Sequence, residues 1–359
     1  MKKLFIVLLM AGLFLACQNG KKKTDQGEND KVASLSAAGA TFPMPYYNMV
    51  IKDYIKKTDV LVTYGGIGSG GGIKSLKDKV VDIGATDAFL SDEKLAAMPG
   101  EIVHIPTCLG AVVIAYNLPG IEGLKLTEAI QEGIFMGEIT KWNDDQLKSN
   151  NPELELPDQD IAFVHRSDGS GTTFIFSDYM CKISQKWSDE VGRGKSLKWP
   201  MGIGAKGNPG VAGTIKSTRG AIGYIGSEYA FAQKIPVALL KNRSGNYVKP
   251  SIESISAAAQ AELPADTRTM LTNSVDANAY PISGFTWLIL YKEQAYDGRS
   301  KGQALATLQF LDWLISPEAQ AVASKVNYAP LPDKAVTQAR TILKSVTYNG
   351  APLLTEQKE

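Results

Sequence analysis

The residues best suited to chemistry in this sequence sit in three short turns crowded with glycine, serine and threonine, together with one arginine and one aspartate. The most informative turn is Arg166-Ser167-Asp168-Gly169-Ser170-Gly171-Thr172-Thr173. It follows a β-rich run, Ile161 to Val164, and precedes a helical pattern over Phe174 to Trp187. Ser170, Gly171 and Thr172 therefore fall at a helix N-terminus, where unpaired N–H groups and the helix dipole favour negative charge. Arg166 brings a planar fork of donors matched to oxyanions, and Asp168 is spaced to hold that guanidinium in one orientation. A serine-hydrolase elbow needs glycine two residues before the serine, and Asp168 occupies that place before Ser170.

The second turn, Gly66-Ile67-Gly68-Ser69-Gly70-Gly71-Gly72, follows a strand pattern at Val60 to Tyr64. Its amides and the Ser69 hydroxyl suit a small anion at a helix N-terminus. It holds a literal GxGxxG at Gly66, Gly68 and Gly71. A dinucleotide site fits poorly, because the motif follows a first helix instead of opening the domain. The third turn, Gly39-Ala40-Thr41-Phe42-Pro43, offers the Thr41 hydroxyl and the Phe42 amide. Pro43 and Pro45 suit the first turn of the helix expected over Tyr46 to Lys57. The acidic member is Asp87, at the end of a short strand pattern that starts at Val80. A carboxylate beside a bound anion is repulsive unless the anion still carries a proton for it to accept. Sulfate carries none at neutral pH, so Asp87 would select against it. Taken alone, the Thr41 turn and Asp87 read better as plain turn or cap residues, whereas the Ser69 turn and, most of all, the Arg166 turn already read better as anion sites than as capped helices. Together they point to a tetrahedral oxyanion.

Short β-rich runs alternate with helical patterns, which implies an α/β fold. Ile102 to Ile105 and Ala111 to Tyr116 are β-branched runs on either side of Gly110, and Phe285 to Tyr291 is another. Gly302 to Ser324 is helical, with Pro317 opening a new helix. Leu118-Pro119-Gly120, Gly207-Asn208-Pro209-Gly210 and Asn349-Gly350 read as turns. At 359 residues the chain suits two lobes. No linker separates them, so the chain is expected to cross between them and return.

A formal charge of +1 provides no global field for nucleic acid. An anion site must therefore be local. There is no CxxC and no Cys/His cluster, so neither a metal nor another cofactor is expected. Cys108 and Cys181 read as separate buried thiols, although an exported protein could pair them. Lys2 and Lys3, the apolar run Leu4 to Ala16 and Cys17 form an export signal of the lipoprotein kind, so residues 1–17 are read as signal and anchor cysteine. Residues 18–35 are polar and charged and read as a flexible tether.

Ala38-Gly39-Ala40-Thr41-Phe42-Pro43, GIGSGGG, VDIGATDAFLS, RSDGSGTT, Lys206-Gly207-Asn208 and Gly220-Ala221-Ile222-Gly223-Tyr224 together closely resemble the phosphate-binding protein of the bacterial phosphate-specific ABC transporter. The likeness runs from about Ser36 through Leu331. It implies a two-lobed periplasmic binding protein (Venus flytrap), each lobe a mixed sheet flanked by helices, with the ligand in the cleft between them. The lobes are expected at 36–110 with 285–359, and at 111–284. The resemblance places phosphate contacts on Thr41, Phe42 (amide), Ser69, Asp87, Arg166, Ser170, Gly171 (amide) and Thr172, with Asp168 orienting Arg166. Gly70 stands where family members often have a second serine. The implied function is extracytoplasmic, periplasmic or cell-surface capture of inorganic phosphate by a lipid-anchored monomer. The implied partners are the permease subunits of the importer and the membrane that holds the anchor. The alternatives are a receptor for another tetrahedral oxyanion, such as sulfate or molybdate, and a phosphatase-like hydrolase. With only His104 and His165 in the chain, and His165 expected to face away from the cleft, no activated nucleophile is evident.

Overall fold

The computed structural model describes residues 34–260 and 262–354. Cys17 and most of the expected tether lie outside the described residues. Ser34 and Leu35, expected at the tether's end, are instead strand residues, because Leu35 is fully buried and pairs with Val62.

The first part of the chain runs β1 (Ser34–Gly39), α1 (Met44–Thr58), β2 (Leu61–Gly66), α2 (Gly68–Lys77), β3 (Ile83–Thr86) and α3 (Asp92–Ala96). Next come β4 (Ile102–Tyr116), β5 (Lys125–Leu126), α4 (Glu128–Phe135), α5 (Asp145–Asn150), β6 (Ala162–Arg166), α6 (Gly171–Ile183) and α7 (Gln185–Glu190). They are followed by β7 (Ile203–Ala205), α8 (Gly207–Ser217), β8 (Ala221–Gly226), α9 (Ser227–Gln233), β9 (Leu239–Lys241), β10 (Tyr247–Val248) and α10 (Ile252–Ala258). The last elements are β11 (Ser283–Tyr291), α11 (Lys301–Leu314), α12 (Pro317–Lys325), α13 (Asp333–Lys344), β12 (Thr347–Tyr348) and β13 (Ala351–Pro352).

Eight strands form one mixed sheet in the order β2-β1-β3-β11-β4-β8-β6-β7. Its spine is β4, whose fifteen residues are all buried. At about 3.3 Å per residue such a strand reaches about 50 Å, long enough to serve both halves of the molecule. Residues Ile102 to Ala111 pair with β11, while Val112 to Tyr116 pair with β8. The two β-branched runs around Gly110 are thus one strand. Gly110 does not break it but makes room, since a Cβ there would lie 2.4 Å from the Phe42 ring.

The β4–β11 register shifts between Thr286 and Trp287, opposite Pro106 and Cys108. Pro106 has no N–H to give to a ladder, and a bulge relieves the mismatch. The helices end and restart by local chemistry. The expected helix from Phe174 to Trp187 is two helices, because Ser184 leaves helical geometry and caps α7 by accepting from the Trp187 N–H at 2.8 Å. Gly207-Asn208-Pro209-Gly210, expected as a turn, is the first turn of α8, where proline is tolerated before the hydrogen-bonded turns begin. Cys108 and Cys181 are both free thiols; Cys108 is buried as expected, but Cys181 is half-exposed on α6.

Candidate functional site

Three strand-to-helix turns converge where the two halves of the sheet meet. The β1–α1 turn carries Thr41 and Phe42, 4% and 0% exposed. Tyr229 OH donates to the Thr41 carbonyl and Tyr328 OH to the Phe42 carbonyl. In a trans peptide the N–H points opposite the C=O, so the tether on Thr41 O turns the Phe42 amide the other way. The β2–α2 turn carries Ser69, fully buried in the first turn of α2, which no side chain caps. Its amides are thus left for another partner, except that Gly70 N–H is spent on the Gly169 carbonyl at 2.8 Å.

The β6–α6 turn carries Arg166, Ser170, Gly171 and Thr172, all buried. Ser170 Oγ caps α6 by accepting from Thr173 N–H at 3.0 Å, which leaves its own O–H to donate elsewhere. Arg166 is held from the side by Asp168 in a bidentate pair, Nε to Oδ1 at 2.8 Å and Nη2 to Oδ2 at 2.6 Å. Gly207 N–H also donates to Asp168 Oδ1 at 3.0 Å. Burial works to raise the Asp168 carboxyl, but the hydrogen bonds and charge of Arg166 outweigh it and hold the carboxyl below its usual range. Asp168 therefore stays ionised, and Arg166 Nη1 remains directed into the site, 3.3 Å from Thr172 Oγ1.

Asp87 directly follows β3 and is 1% exposed. Its N–H donates to Ser69 Oγ at 3.2 Å, and Ser69 Oγ lies 3.5 Å from its Oδ2. Burial pushes the carboxyl up to about 7, against the opposing pulls of the Thr286 hydroxyl, Arg166 and Ser69. Gly171 closes the group from the opposite half of the sheet. A Cβ there would lie 2.5 Å from both Asp87 Oδ2 and Ser69 Oγ, so only glycine allows this approach. The structure thus gathers all eight residues singled out in the sequence, with Asp168, into one buried cluster. Its donors are hydroxyls, amides and a guanidinium; Asp87 Oδ2 is the carboxylate acceptor among them, reached only by the long contact from Ser69 Oγ at 3.5 Å.

Three further participants were not singled out. Thr286, beside the β11 bulge, donates from Oγ1 to Asp87 Oδ1 at 2.7 Å. It leaves Oδ2 as the atom facing Ser69 and Gly171. A lone threonine in FTWLILY was the available signal. Asn208 touches both Thr41 and Thr172. Glu228, 3% exposed, has its carboxyl pushed up to about 8 by burial and by the charge of Asp87. His165 stacks on Trp199 with centroids 4.7 Å apart, and His104 Nε2 accepts from Leu90 N–H at 3.1 Å. Neither imidazole is paired with a serine of the cluster.

The PBP superfamily domain matches residues 24–318. Phosphate-binding protein PstS of Xylella fastidiosa is 38% identical over 327 residues, covering 89% of this chain and 88% of that protein. The chain belongs to the PstS phosphate-binding protein family. PstS of Haemophilus influenzae is 39% identical over 319 residues, covering 87% of this chain and 93% of that protein. The solved structure of a high-affinity periplasmic phosphate-binding protein, PfluDING, bound with phosphate, aligns with a TM-score of 0.68 over 89% of this chain and all of that one. At 21% identity that likeness concerns the fold, which is the mixed α/β periplasmic-binding-protein architecture.

Proposed function

We propose that this protein captures inorganic phosphate outside the cytoplasm and delivers it to the permease of an ABC-type importer, acting as a receptor without catalysis. The observation that carries this reading is the buried cluster of donors from both halves of the sheet around the carboxylate of Asp87, whose Oδ2 holds only a long contact from Ser69 Oγ. Hydroxyls of Thr41, Ser69, Ser170 and Thr172, amides of Phe42 and Gly171 and the fork of Arg166 would bind phosphate oxygens. Asp87 would accept the proton that phosphate still carries. Sulfate would leave that buried carboxylate against lone pairs, and unpaired buried charge gives strong rejection.

Ionised Asp87 is the accepting state. Because burial holds this carboxyl near about 7, phosphate affinity should weaken as pH falls through that value. The lobes are 36–110 with 285–359, and 111–284, with hinges where β4 and β11 pass from one half to the other. Phosphate drives closure only through its preference for the closed state. Cys17 would carry the lipid anchor and the segment after it the tether of a monomer. Both imidazoles are engaged away from the cluster's serines, which favours a receptor over a phosphatase.

The test is calorimetric titration of the wild type and Arg166→Ala with phosphate. Charged hydrogen bonds are worth about 1.5–3 kcal/mol each, so the variant should bind at least about tenfold more weakly. Equal affinity would remove Arg166 from the site.

A further inference from the structure

Asn208 is fully buried in the first turn of α8 and lies 167 residues from Thr41, yet it makes four hydrogen bonds around the cluster. Its backbone N–H donates to Thr41 Oγ1 at 3.1 Å. Its side-chain Nδ2 donates to Thr41 Oγ1 and to Thr172 Oγ1, each at 3.0 Å. Gly226 N–H donates to its Oδ1 at 2.9 Å, which sets the end of the amide that faces the threonines.

A hydroxyl has two lone pairs and one proton. On Thr41 Oγ1 both lone pairs are taken by Asn208. On Thr172 Oγ1 one is taken by Asn208 and the other by Arg166 Nη1 at 3.3 Å. Neither oxygen has acceptor capacity left.

We propose that Asn208 is a positioning residue for anion capture, filling the lone pairs of Thr41 and Thr172 so that both hydroxyls can only donate to the bound anion. This deepens the phosphate reading and rests on it. Threonine hydroxyls left free would accept a proton from the ligand as readily as give one. With both fixed as donors, the ligand's own proton is directed to Asp87, and an acceptor-only face of the anion meets Thr41 and Thr172. Asn208 also joins the β1–α1 turn to the β6–α6 turn, so these hydroxyls are set only when the two turns are together.

The experiment is a double-mutant cycle read by calorimetric titration with inorganic phosphate, on wild type, Asn208→Ala, Thr41→Ala and the pair. Asn208→Ala should bind phosphate about tenfold or more weakly than wild type. In the Thr41→Ala background the same change should cost only about threefold, since the Thr172 share alone remains. Because a packing role would show in unfolding of the ligand-free protein, melting curves of the four proteins are compared, and the coupling must appear in phosphate affinity. Affinity within about twofold of wild type for Asn208→Ala, or an equal loss in both backgrounds, overturns the inference. If Asn208→Ala does not fold, Asn208→Ser removes the amide fork in the same cycle and is judged by the same two criteria. A wild-type protein that gives no binding with phosphate would instead overturn the phosphate reading itself.

Discussion

Replacing Asp87 with asparagine should make the ligand-free protein more stable at alkaline pH while weakening its capture of phosphate. The folded carboxyl sits near about 7, against 3.8 for the unperturbed group, because burial disfavours its ionised form. Below pH about 4 the carboxyl is protonated in both folded and unfolded chains, and it contributes no pH dependence. Between about 4 and 7 the unfolded chain loses its proton while the folded chain keeps it, so stability falls with each pH unit. Above about 7 both are ionised and the penalty is constant. The interval from 3.8 to about 7, at about 1.4 kcal/mol per pH unit, amounts to about 4 kcal/mol. Opening of the cleft would hydrate the carboxylate, so the measured figure should fall between about 2 and 4 kcal/mol. Asparagine does not titrate. The stability difference between Asp87→Asn and wild type should therefore be near zero at pH 4 and grow by that amount at pH 8. Urea unfolding of both proteins in phosphate-free buffer, at several pH values, measures it. Glu228 titrates in both proteins, and the part of its upward shift that comes from the Asp87 charge is lost in the variant, which adds to the difference at alkaline pH. A difference that stays flat within about 0.5 kcal/mol from pH 4 to 8 would refute the desolvation argument.

Two other perturbations follow from the same geometry. Thr286→Val removes the donor to Asp87 Oδ1 and with it support for the ionised form. The pH at which phosphate affinity falls should rise by about one unit, as titrations across pH would reveal, and an unmoved profile would show that Thr286 does not tune Asp87. Gly171→Ala inserts a methyl at 2.5 Å from Asp87 Oδ2 and Ser69 Oγ. Alanine is a good helix former, so circular dichroism should remain that of the wild type while phosphate affinity drops at least about tenfold; unchanged affinity would mean that Gly171 does not approach Asp87 this closely in the bound state.

Much of this was legible in local sequence. Helical spacing identified α1, and proline marked the start of α12 at Pro317. The turns after β1, β2 and β6 announced themselves because anion-ready backbone needs small residues and hydroxyls, which are visible one residue at a time. What local reading missed depends on distant contacts. Gly110 looked like a break because nothing nearby reveals that the Phe42 ring covers it. Lys206-Gly207-Asn208-Pro209-Gly210 has turn composition, yet it opens a helix. The polar run places Leu35 in the tether, because nothing in its local composition shows that β2 pairs there. Thr286 is one polar residue in an apolar strand, and its partner Asp87 lies 199 residues away. Cys181 sits on a helix whose apolar pattern suggested full burial, and that pattern did not show that its position stays half-exposed.

The central claim is that the cluster recognises an oxyanion by the proton it still carries. Competition of sulfate against bound phosphate near pH 8, in wild type and in Asp87→Asn, addresses it most directly. The account predicts that sulfate fails to displace phosphate from the wild type at many-fold excess and competes measurably once Asp87 is neutralised. Equal displacement in the two proteins would contradict it.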